Sequence, residues 1–285
     1  MLALAIALGP VAIALRERDD GRTLPPGVPG RFVDVSGRRV HVVERGAGPP
    51  LVLVHGFGGS TEDFEDFVLE PLSRSHRAIA IDLYGFGWSE RSDDFHYGWT
   101  LWADQIAGTL DALGIERASL AGHSMGGAVA AVFGARHPDR LDRLILADAL
   151  YPSEPGEIPL VFKALRTPGV GELLLGLVGE ASAPGFSPAY RERARAWYRI
   201  RGTRSASLRY LRDPAKRAEL AAAYPVIAAP TLVLHGTADS SVPYSAMERS
   251  VSAIRDARVV TLPGGGHFLL RDAPEVFVRE VEKFL

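Results

Sequence analysis

Residues 117–132 read RASLAGHSMGGAVAAV, and they predict a strand, a sharp turn and a helix in immediate succession. The apolar run before the turn is typical of a buried strand, and the small residues from Met125 onward favour a helix. Between them, Gly122 and Gly126 flank Ser124 in the pattern G-x-S-x-G. Because glycine permits a sharp backbone turn, the Ser124 hydroxyl is predicted to project from the strand end beside a helix N-terminus.

Apolar runs and helical segments alternate on both sides of this stretch. The predicted strands are 51–56, 77–83, 117–122, 141–149, 230–236 and 257–262, and the predicted helices are 100–113, 125–137, 244–254 and 273–285. Residues 31–35 and 38–45, around Ser36 and Gly37, alternate apolar with polar side chains and predict an antiparallel hairpin at one edge. The predicted fold class is therefore α/β, with a mostly parallel eight-stranded sheet and helices on both faces. Residues 60–63, STED, are typical of a capped helix start.

The same pattern predicts how the chain is organised into parts. Residues 31–150 and 226–285 carry the strand–helix alternation and form the predicted α/β core. Residues 151–225 break it with several prolines and an arginine-rich helical stretch. A structureless loop of that length is uncommon in a compact domain, so we expect an inserted helical cap. Residues 16–30, which include GRTLPPGVPG, are predicted to be a linker.

Composition excludes some classes of function. The 285 residues are 47% hydrophobic and 23% charged, with a formal net charge of −2. Acidic and basic residues are interspersed, so nucleic acid is not an expected partner. The chain has no cysteine, which excludes disulfides, thiol nucleophiles and cysteine-ligated metals. We expect neither a metal nor an organic cofactor, and the sequence leaves the oligomeric state open.

The N-terminal segment differs from the rest of the chain. Residues 1–15, MLALAIALGPVAIAL, contain no charged side chain, and Arg16, Arg18 and Arg22 follow. As a helix they would span about 22 Å, less than the roughly 30 Å hydrocarbon core of a bilayer. We expect membrane association through this segment. The alternatives are a cleaved signal peptide, which would give a secreted or periplasmic protein, and a packed N-terminal helix in a cytoplasmic protein.

A serine hydroxyl needs a neighbouring base to act as a nucleophile at neutral pH. Of the eight histidines, His267 lies in a glycine-rich loop after the last predicted strand, and we predict that it is this base. Asp239 follows strand 230–236 and is predicted to orient the base, with Asp148 as the alternative acid. The order serine, acid, histidine is the order found in enzymes with a G-x-S-x-G elbow.

The predicted reaction also needs two backbone N–H groups that stabilise a developing oxyanion. One is predicted to be the N–H of Met125, directly after the serine. The other is predicted to be the N–H of Phe57, in the stretch HGFGGS that follows strand 51–56.

Five motifs together resemble the α/β-hydrolase family: HGFGGS, DLYGFGWSE, GHSMGG, HGTADSSVP and GGGHFLLRDAPEVF. They occur in the family's order and spacing, over residues 31–150 and 226–285. The resemblance is to serine esterases and lipases and to the related meta-cleavage-product hydrolases. It implies that Ser124, Asp239 and His267 form a catalytic triad, and that Asp82 has a structural role.

The resemblance also narrows the reaction. Relatives that cleave carbon–halogen bonds or open epoxides use aspartate where this chain has Ser124. Relatives that hydrolyse carbon–carbon bonds of ring-fission products share the serine, but many carry tryptophan directly after the histidine, where this chain has Phe268. We therefore predict cleavage of a small-molecule carboxylic ester through an acyl-enzyme, with Trp197, Tyr198 and Phe268 contacting substrate. The alternatives are carbon–carbon bond hydrolysis and a non-catalytic ligand-binding protein.

Overall fold

The computed structural model describes residues 8–9, 11–13, 15–17, 21–152, 160–178 and 187–285. Eight strands form one sheet: β1 Arg31–Val35, β2 Arg38–Arg45, β3 Pro50–Val54, β4 Arg77–Ile81, β5 Ala118–His123, β6 Leu141–Ala147, β7 Thr231–Gly236 and β8 Ala257–Leu262. Their order across the sheet is β1-β2-β4-β3-β5-β6-β7-β8. The β1–β2 and β2–β4 pairs are antiparallel, and all other neighbours are parallel. The predicted fold class is confirmed.

The hairpin of β1 and β2 forms one edge of the sheet, as predicted. Ser36 and Gly37 connect the strands with φ values of 54° and 80°. Two consecutive positive φ values are typical of the tight turns that match the twist of a hairpin. The remaining edge is β8, whose residues are all exposed or half-buried.

The helices between and after the strands have the following bounds: α1 Glu62–Phe64, α2 Glu70–Leu72, α3 Trp99–Ala112, α4 Met125–Arg136, α5 Leu160–Arg166, α6 Val170–Val178, α7 Pro188–Tyr198, α8 Thr203–Arg212, α9 Lys216–Ala223, α10 Tyr244–Val251, α11 Leu269–Asp272 and α12 Pro274–Phe284. A π-helical turn, Glu65–Leu69, lies between α1 and α2. Short 3₁₀ turns occupy Pro138–Arg140 and Tyr224–Val226.

Both faces of the sheet are covered by apolar packing. Along β3, Val52 and Val54 belong to a core with residues of α3 and α4, whereas Leu51 and Leu53 belong to a second core with residues of α12. Successive side chains of a strand point to opposite faces, so a strand buried on both sides must be apolar throughout. This explains why the central strands are continuous hydrophobic runs.

In the described parts of the chain between β6 and β7 there are five helices, α5 to α9. Helices α5, α6 and α7 pack against α8, and α9 packs against α3 and α4 of the core. The division of the chain at residues 15, 30, 150 and 225 stays a prediction. The parts of those divisions that lie outside the described residues are 1–7, 10, 14, 18–20, 153–159 and 179–186.

The described residues of the N-terminal segment pack against α6. They are helical, and a Cβ placed on Gly9 would lie 2.6 Å from the Cβ of Glu172. Likewise, a Cβ on Gly176 would lie 2.8 Å from the Cβ of Ala12. Within the described part of the chain, no helix has both the length and the apolar character needed to cross a membrane. The expectation of membrane association through residues 1–15 is therefore wrong.

The expected capped helix after β3 is also different in the structure. The Thr61 side chain makes no capping bond, and Ser60 Oγ accepts a hydrogen bond of 3.3 Å from the N–H of Glu62. Glu62 and Asp63 both turn inward, toward α7, instead of facing solvent in a first helical turn. Their hydrogen-bond and ionic partners there are described with the site.

Candidate active site

Ser124 occupies the turn between β5 and α4 with a strained backbone, at φ 52° and ψ −117°. A non-glycine residue in such a conformation is costly and is held only where its surroundings impose it. A Cβ on Gly122 would lie 2.2 Å from the Gly126 carbonyl oxygen, and a Cβ on Gly126 would lie 2.1 Å from the Val54 carbonyl oxygen. The two glycines are therefore required because the helix start packs directly against the ends of β3 and β5.

A chain of hydrogen bonds joins Ser124, His267 and Asp239. His267 Nε2 lies 2.9 Å from Ser124 Oγ, and His267 Nδ1 lies 2.7 Å from Asp239 Oδ2. Asp239 Oδ1 accepts hydrogen bonds from the N–H groups of Ser241 (2.7 Å) and Val242 (2.9 Å). Burial acts to raise the pKa of Asp239, but the bond from His267 and the two N–H donors outweigh it and hold the pKa below its usual value. The acid is thus ionised while it faces the imidazole.

Asp148, the alternative acid, has a different position. Its two carboxylate oxygens accept hydrogen bonds from the N–H of Gly236 (2.9 Å) and of Leu269 (3.0 Å). Among the described residues it makes no hydrogen bond to His267. Burial raises the pKa of Asp148 to about 6. Asp148 therefore fastens the loop that follows His267 to the end of β6, and the structure brings Asp239 to the imidazole instead.

Three further histidines surround the site without reaching Ser124 Oγ. His123 Nε2 donates to the His267 carbonyl oxygen at 2.7 Å, and burial together with the nearby His267 lowers the pKa of His123 to about 3. His55 Nε2 accepts from the N–H of Leu83 at 3.1 Å. His235 Nε2 donates to the carbonyl oxygen of Val242 at 3.2 Å. Burial lowers the pKa of each of these histidines, so all three are neutral supports for the loops around the serine.

The two predicted oxyanion donors lie at the expected places in the fold. Phe57 follows the end of β3, and Met125 is the first residue of α4. Within the described part of the chain, neither N–H has a hydrogen-bond acceptor. Met125 is at a helix N-terminus, which leaves its first N–H groups unpaired, and Phe57 is in the turn after β3. Both N–H groups are therefore available to an anion that forms on a substrate.

One cluster combines residue types that bind metals. Ligand atoms of Asp148, His235 and Asp239 lie within 4.8 Å of one another. The four carboxylate oxygens, however, already accept hydrogen bonds from Gly236, Leu269, His267 and the Ser241–Val242 turn. A metal there would displace bonds that hold the loops of the site in place.

Two cavities meet at Ser124. The outer cavity, of about 210 Å³, is lined by Gly56, Phe57, Gly58, Gly59, Asp63, His123, Ser124, Phe162, Tyr190, Arg191, Ala194, Trp197, Tyr198, Ser241, His267 and Phe268. The inner cavity, of about 150 Å³, is lined by Phe57, Ser124, Met125, Leu150, Tyr151, Phe162, Arg166, Tyr210, Leu211, Lys216, Ser241, Val242, Pro243, Ala246 and His267. A molecule whose reacting atom lies at Ser124 can therefore extend in two directions.

All three residues predicted to contact substrate line the outer cavity. Trp197 and Tyr198 lie on α7 and are buried, whereas Phe268 is 37% exposed. The Phe268 ring contacts the imidazole of His267 edge-on, with the ring centres 5.4 Å apart. Each of the three is thus in a position to contact a ligand bound beside Ser124.

Helix α7 is fastened to the segment after β3 by two polar contacts. The Tyr190 hydroxyl donates to Asp63 Oδ1 at 2.5 Å, and Arg193 Nε lies 3.2 Å from Glu62 Oε2. Burial raises the pKa of Asp63 to about 7 and that of Glu62 to about 8. These carboxyl groups thus form part of the support of the outer cavity, a role that the STED motif did not indicate.

The sequence analysis did not identify the polar residues of the inner cavity. Tyr151 follows β6, Arg166 ends α5 and Lys216 begins α9. No local motif relates these positions, which lie in separate elements. Only the packing of α5 and α9 near the core brings them together beside Ser124.

The chain is similar to known hydrolases in sequence and in fold. The profile described as the alpha/beta hydrolase family matches residues 51–280. A 2-hydroxy-6-oxo-2,4-heptadienoate hydrolase from Pseudomonas putida is 31% identical, over 90% of this chain and 96% of that protein. A 2-hydroxymuconate semialdehyde hydrolase from Pseudomonas putida is 29% identical, over 90% and 94% of the two chains. The solved meta-cleavage product hydrolase from Pseudomonas fluorescens is 26% identical, with a TM-score of 0.72 over 90% of this chain and 97% of that one.

Proposed function

The chain belongs to the alpha/beta hydrolase family, and on that basis we propose that it hydrolyses a carbon–carbon bond beside a ketone in a small ring-fission product. The observation that carries this proposal is the chain of hydrogen bonds from Asp239 through His267 to Ser124, at the point where two cavities meet. This arrangement suits attack on a carbonyl carbon that carries a substituent on each side.

In the proposed reaction, Ser124 is the nucleophile and His267 the general base. As Ser124 Oγ attacks the ketone carbon, its proton passes to His267 Nε2, 2.9 Å away. Asp239 accepts the hydrogen bond from His267 Nδ1, which fixes the tautomer and stabilises the imidazolium that forms. The N–H groups of Phe57 and Met125 stabilise the oxyanion of the tetrahedral intermediate.

The intermediate then breaks the bond between the ketone carbon and its neighbour. The reacting form is the 2-oxo tautomer of the dienoate, in which the proton of the 2-hydroxyl group has moved to the carbon beside the ketone. The electron pair of the broken bond then passes through the remaining carbon–carbon double bond to the 2-oxo group and gives a dienolate. His267 returns its proton to this fragment, and an acyl group stays on Ser124. Water, deprotonated by His267, releases the acyl group as a carboxylic acid and restores the serine.

The choice of a carbon–carbon bond is supported by the relatives. Two curated hydrolases that align along almost their whole length are named for 2-hydroxy-6-oxo-2,4-heptadienoate and 2-hydroxymuconate semialdehyde. A chain of the same family, with a serine, a histidine and an acid in contact, is suited to the same class of substrate. The relatives therefore favour the first alternative of the sequence analysis over ester cleavage.

Ester hydrolysis is the second candidate, because one residue differs from many carbon–carbon hydrolases. The residue directly after His267 is Phe268 rather than tryptophan, and its ring lies on the wall of the outer cavity. The attack and oxyanion steps are the same for an ester. The difference is the leaving group, an alkoxide instead of a dienolate.

We also propose that helices α5 to α9 act as a cap over the site. Phe162 on α5 and Tyr210 on α8 line the inner cavity, and Tyr190 and Trp197 on α7 line the outer one. Substrate size would then be limited mainly by residues of these helices, and chemistry would depend on residues of the sheet.

The test is turnover of 2-hydroxy-6-oxo-2,4-heptadienoate, followed as loss of the dienolate absorbance, with p-nitrophenyl butyrate measured in parallel. We expect kcat/KM for the dienoate to exceed that for the ester at least tenfold. Ser124→Ala should lower kcat by about 10⁴-fold or more, because the triad acts as a unit.

Turnover of the ester without turnover of the dienoate would instead establish the second candidate. Activity that survives Ser124→Ala would exclude both candidates, because neither reaction can proceed here without the serine. Circular dichroism of the variant provides the control for folding.

A further inference from the structure

A third cavity, of about 400 Å³, is separate from the two that meet at Ser124. Four arginines line it: Arg22 precedes β1, Arg39 lies on β2, Arg91 follows β4, and Arg201 lies between α7 and α8. We call it the arginine cavity. Among the described residues, it has no lining residue in common with the outer or the inner cavity. A ligand in the arginine cavity can therefore bind while a substrate lies at Ser124.

The acidic side chains in the same lining are paired with arginines that do not line the cavity. Glu90 Oε1 accepts a hydrogen bond of 2.7 Å from Arg38 Nη1, and Glu90 Oε2 accepts one of 3.0 Å from the N–H of Arg39. Asp93 Oδ1 lies 3.4 Å from Arg209 Nη2. Because these carboxylates already have a basic partner, the four arginines give the described lining an excess of positive charge.

Arg39 and Arg201 have no acidic partner among the described residues. Neither side chain forms an ion pair or donates a hydrogen bond there, and Arg39 Nε is buried without an acceptor. The nearby carboxylate of Glu17 is engaged elsewhere, because its Oε1 accepts a hydrogen bond of 3.1 Å from the N–H of Gly202 at the edge of the cavity. A guanidinium carries five N–H donors, so both arginines can bind an anion without breaking a bond of the fold.

The wall of the arginine cavity is fixed by hydrogen bonds. Arg91 Nε donates to Thr203 Oγ1 (3.1 Å), and Arg91 Nη2 donates to the Gly87 carbonyl oxygen (2.6 Å), which joins the segment after β4 to the start of α8. Ser89 Oγ, in the same segment, accepts a hydrogen bond of 2.9 Å from the N–H of His41 on β2. A wall that is already ordered loses little conformational entropy when a ligand binds.

We propose that the arginine cavity binds the diphosphate group of a small molecule. Arg39 and Arg201 donate hydrogen bonds to it, and Arg22 and Arg91 add positive charge. Phosphate oxygens match the paired N–H groups of a guanidinium, so arginine binds phosphate groups with two parallel hydrogen bonds. A single phosphate would fill a small part of a cavity of about 400 Å³, whereas two linked phosphates can contact arginines on separate walls.

Isothermal titration calorimetry of the full-length protein with sodium pyrophosphate, at low ionic strength, tests this site. We expect saturable binding of one pyrophosphate per chain, and added NaCl should weaken it because exposed charges are screened. Arg39→Gln and Arg201→Gln should each weaken pyrophosphate binding about tenfold, since each loses charge-assisted hydrogen bonds. Arg201 is exposed between two helices, so its replacement should leave folding intact.

Two comparisons separate this site from general attraction between charges. Arg74→Gln removes an exposed positive charge after α2 that does not line the cavity, and it should leave the affinity for pyrophosphate unchanged. Inorganic phosphate and malonate are the matched small anions. Each should bind about tenfold more weakly than pyrophosphate, because phosphate reaches fewer of the arginines and malonate lacks phosphate oxygens.

Absence of saturable pyrophosphate binding to the wild-type protein would overturn the proposal, and this result needs no substitution. Equal losses of affinity in Arg74→Gln and Arg201→Gln would also overturn it, because binding would then follow net charge alone. Binding of inorganic phosphate or malonate as tight as that of pyrophosphate would refute the assignment to a diphosphate. Since the measurement involves no turnover, these results are independent of whether the protein cleaves the dienoate.

Discussion

Asp239→Asn should lower kcat by about 10⁴-fold, because the hydrogen bonds around residue 239 would hold the His267 imidazole in the wrong tautomer. One carboxylate oxygen accepts two backbone N–H groups, from Ser241 and Val242, and the other faces His267 Nδ1. In the variant, the amide oxygen must stay toward the N–H groups of Ser241 and Val242, because reversing the amide would turn its NH₂ group toward these two donors. The NH₂ group then donates to His267 Nδ1, and the ring proton is on Nε2. Because Nε2 is protonated, it cannot accept the Ser124 proton.

The magnitude follows from the loss of the general base together with the loss of an ionised partner. A triad with its imidazole in the wrong tautomer loses about 10⁴ in kcat, which corresponds to about 5.4 kcal/mol of transition-state stabilisation. The measurement is steady-state hydrolysis of the dienoate and of p-nitrophenyl butyrate at pH 7.5. Both substrates should lose the same factor, since both need Ser124 to be deprotonated.

Asp148→Asn is the matched control. It removes the charge of the other buried acid, whose oxygens face Gly236 and Leu269 rather than the imidazole. We expect a loss of about 1–3 kcal/mol in the free energy of unfolding, because one N–H would oppose the amide NH₂, and less than a tenfold loss in kcat. Equal losses of kcat in the two variants would refute the reasoning from Asp239.

Three other predictions concern the supports of the site, and urea unfolding measures each. Asp82 accepts hydrogen bonds from His41, Thr61 and Trp88, so Asp82→Asn should lower the free energy of unfolding by about 3–5 kcal/mol. The folded fraction of this variant should keep kcat within tenfold of the wild-type value. A variant as stable as the wild type would contradict this prediction. Gly126→Ala would bring a Cβ to 2.1 Å from the Val54 carbonyl oxygen and should lower the free energy of unfolding by about 1–3 kcal/mol. Gly37→Ala has open space around the added Cβ and should lower it by about 1 kcal/mol, because of the positive φ at this position. Equal losses in the two variants would argue against the close packing of Gly126 on β3. Burial raises the pKa of Glu62 from about 4.5 to about 8, so its contribution to the free energy of unfolding is fully present below pH 4.5 and is lost as the pH rises through 8. Glu62→Gln should reduce the pH dependence of the free energy of unfolding between pH 5 and 9. An unchanged pH dependence in this variant would refute the prediction.

The sheet and the serine elbow could be predicted because their signals are local. Strands buried on both faces are continuous apolar runs, and the G-x-S-x-G pattern needs only a strand before it and a helix after it. The predicted strand ends were less accurate where a side chain at the end of a strand makes hydrogen bonds to other parts of the fold. Strand β6 was expected to reach residue 149, but it ends at Ala147 because Asp148 turns inward with a φ of 42°.

Other features depend on contacts that no local pattern encodes. The expected capped helix at residues 60–63 differs because Glu62 and Asp63 find partners on α7, which is far away in the chain. For the same reason, the sequence did not relate Arg166 to Lys216. The apolar N-terminal segment suggested a membrane, since its composition does not reveal that a helix of the same chain covers part of it.

The arrangement of the two cavities has a consequence for how selectivity can diverge in related enzymes. Among the described residues, their walls share five, namely Phe57, Ser124, Phe162, Ser241 and His267. Substitutions elsewhere in one wall leave the other intact, and distant, independent substitutions tend to be additive in free energy. Preference for the group that is transferred to the serine and preference for the group that departs can therefore be altered separately, so a library that varies only one wall should change one preference at a time.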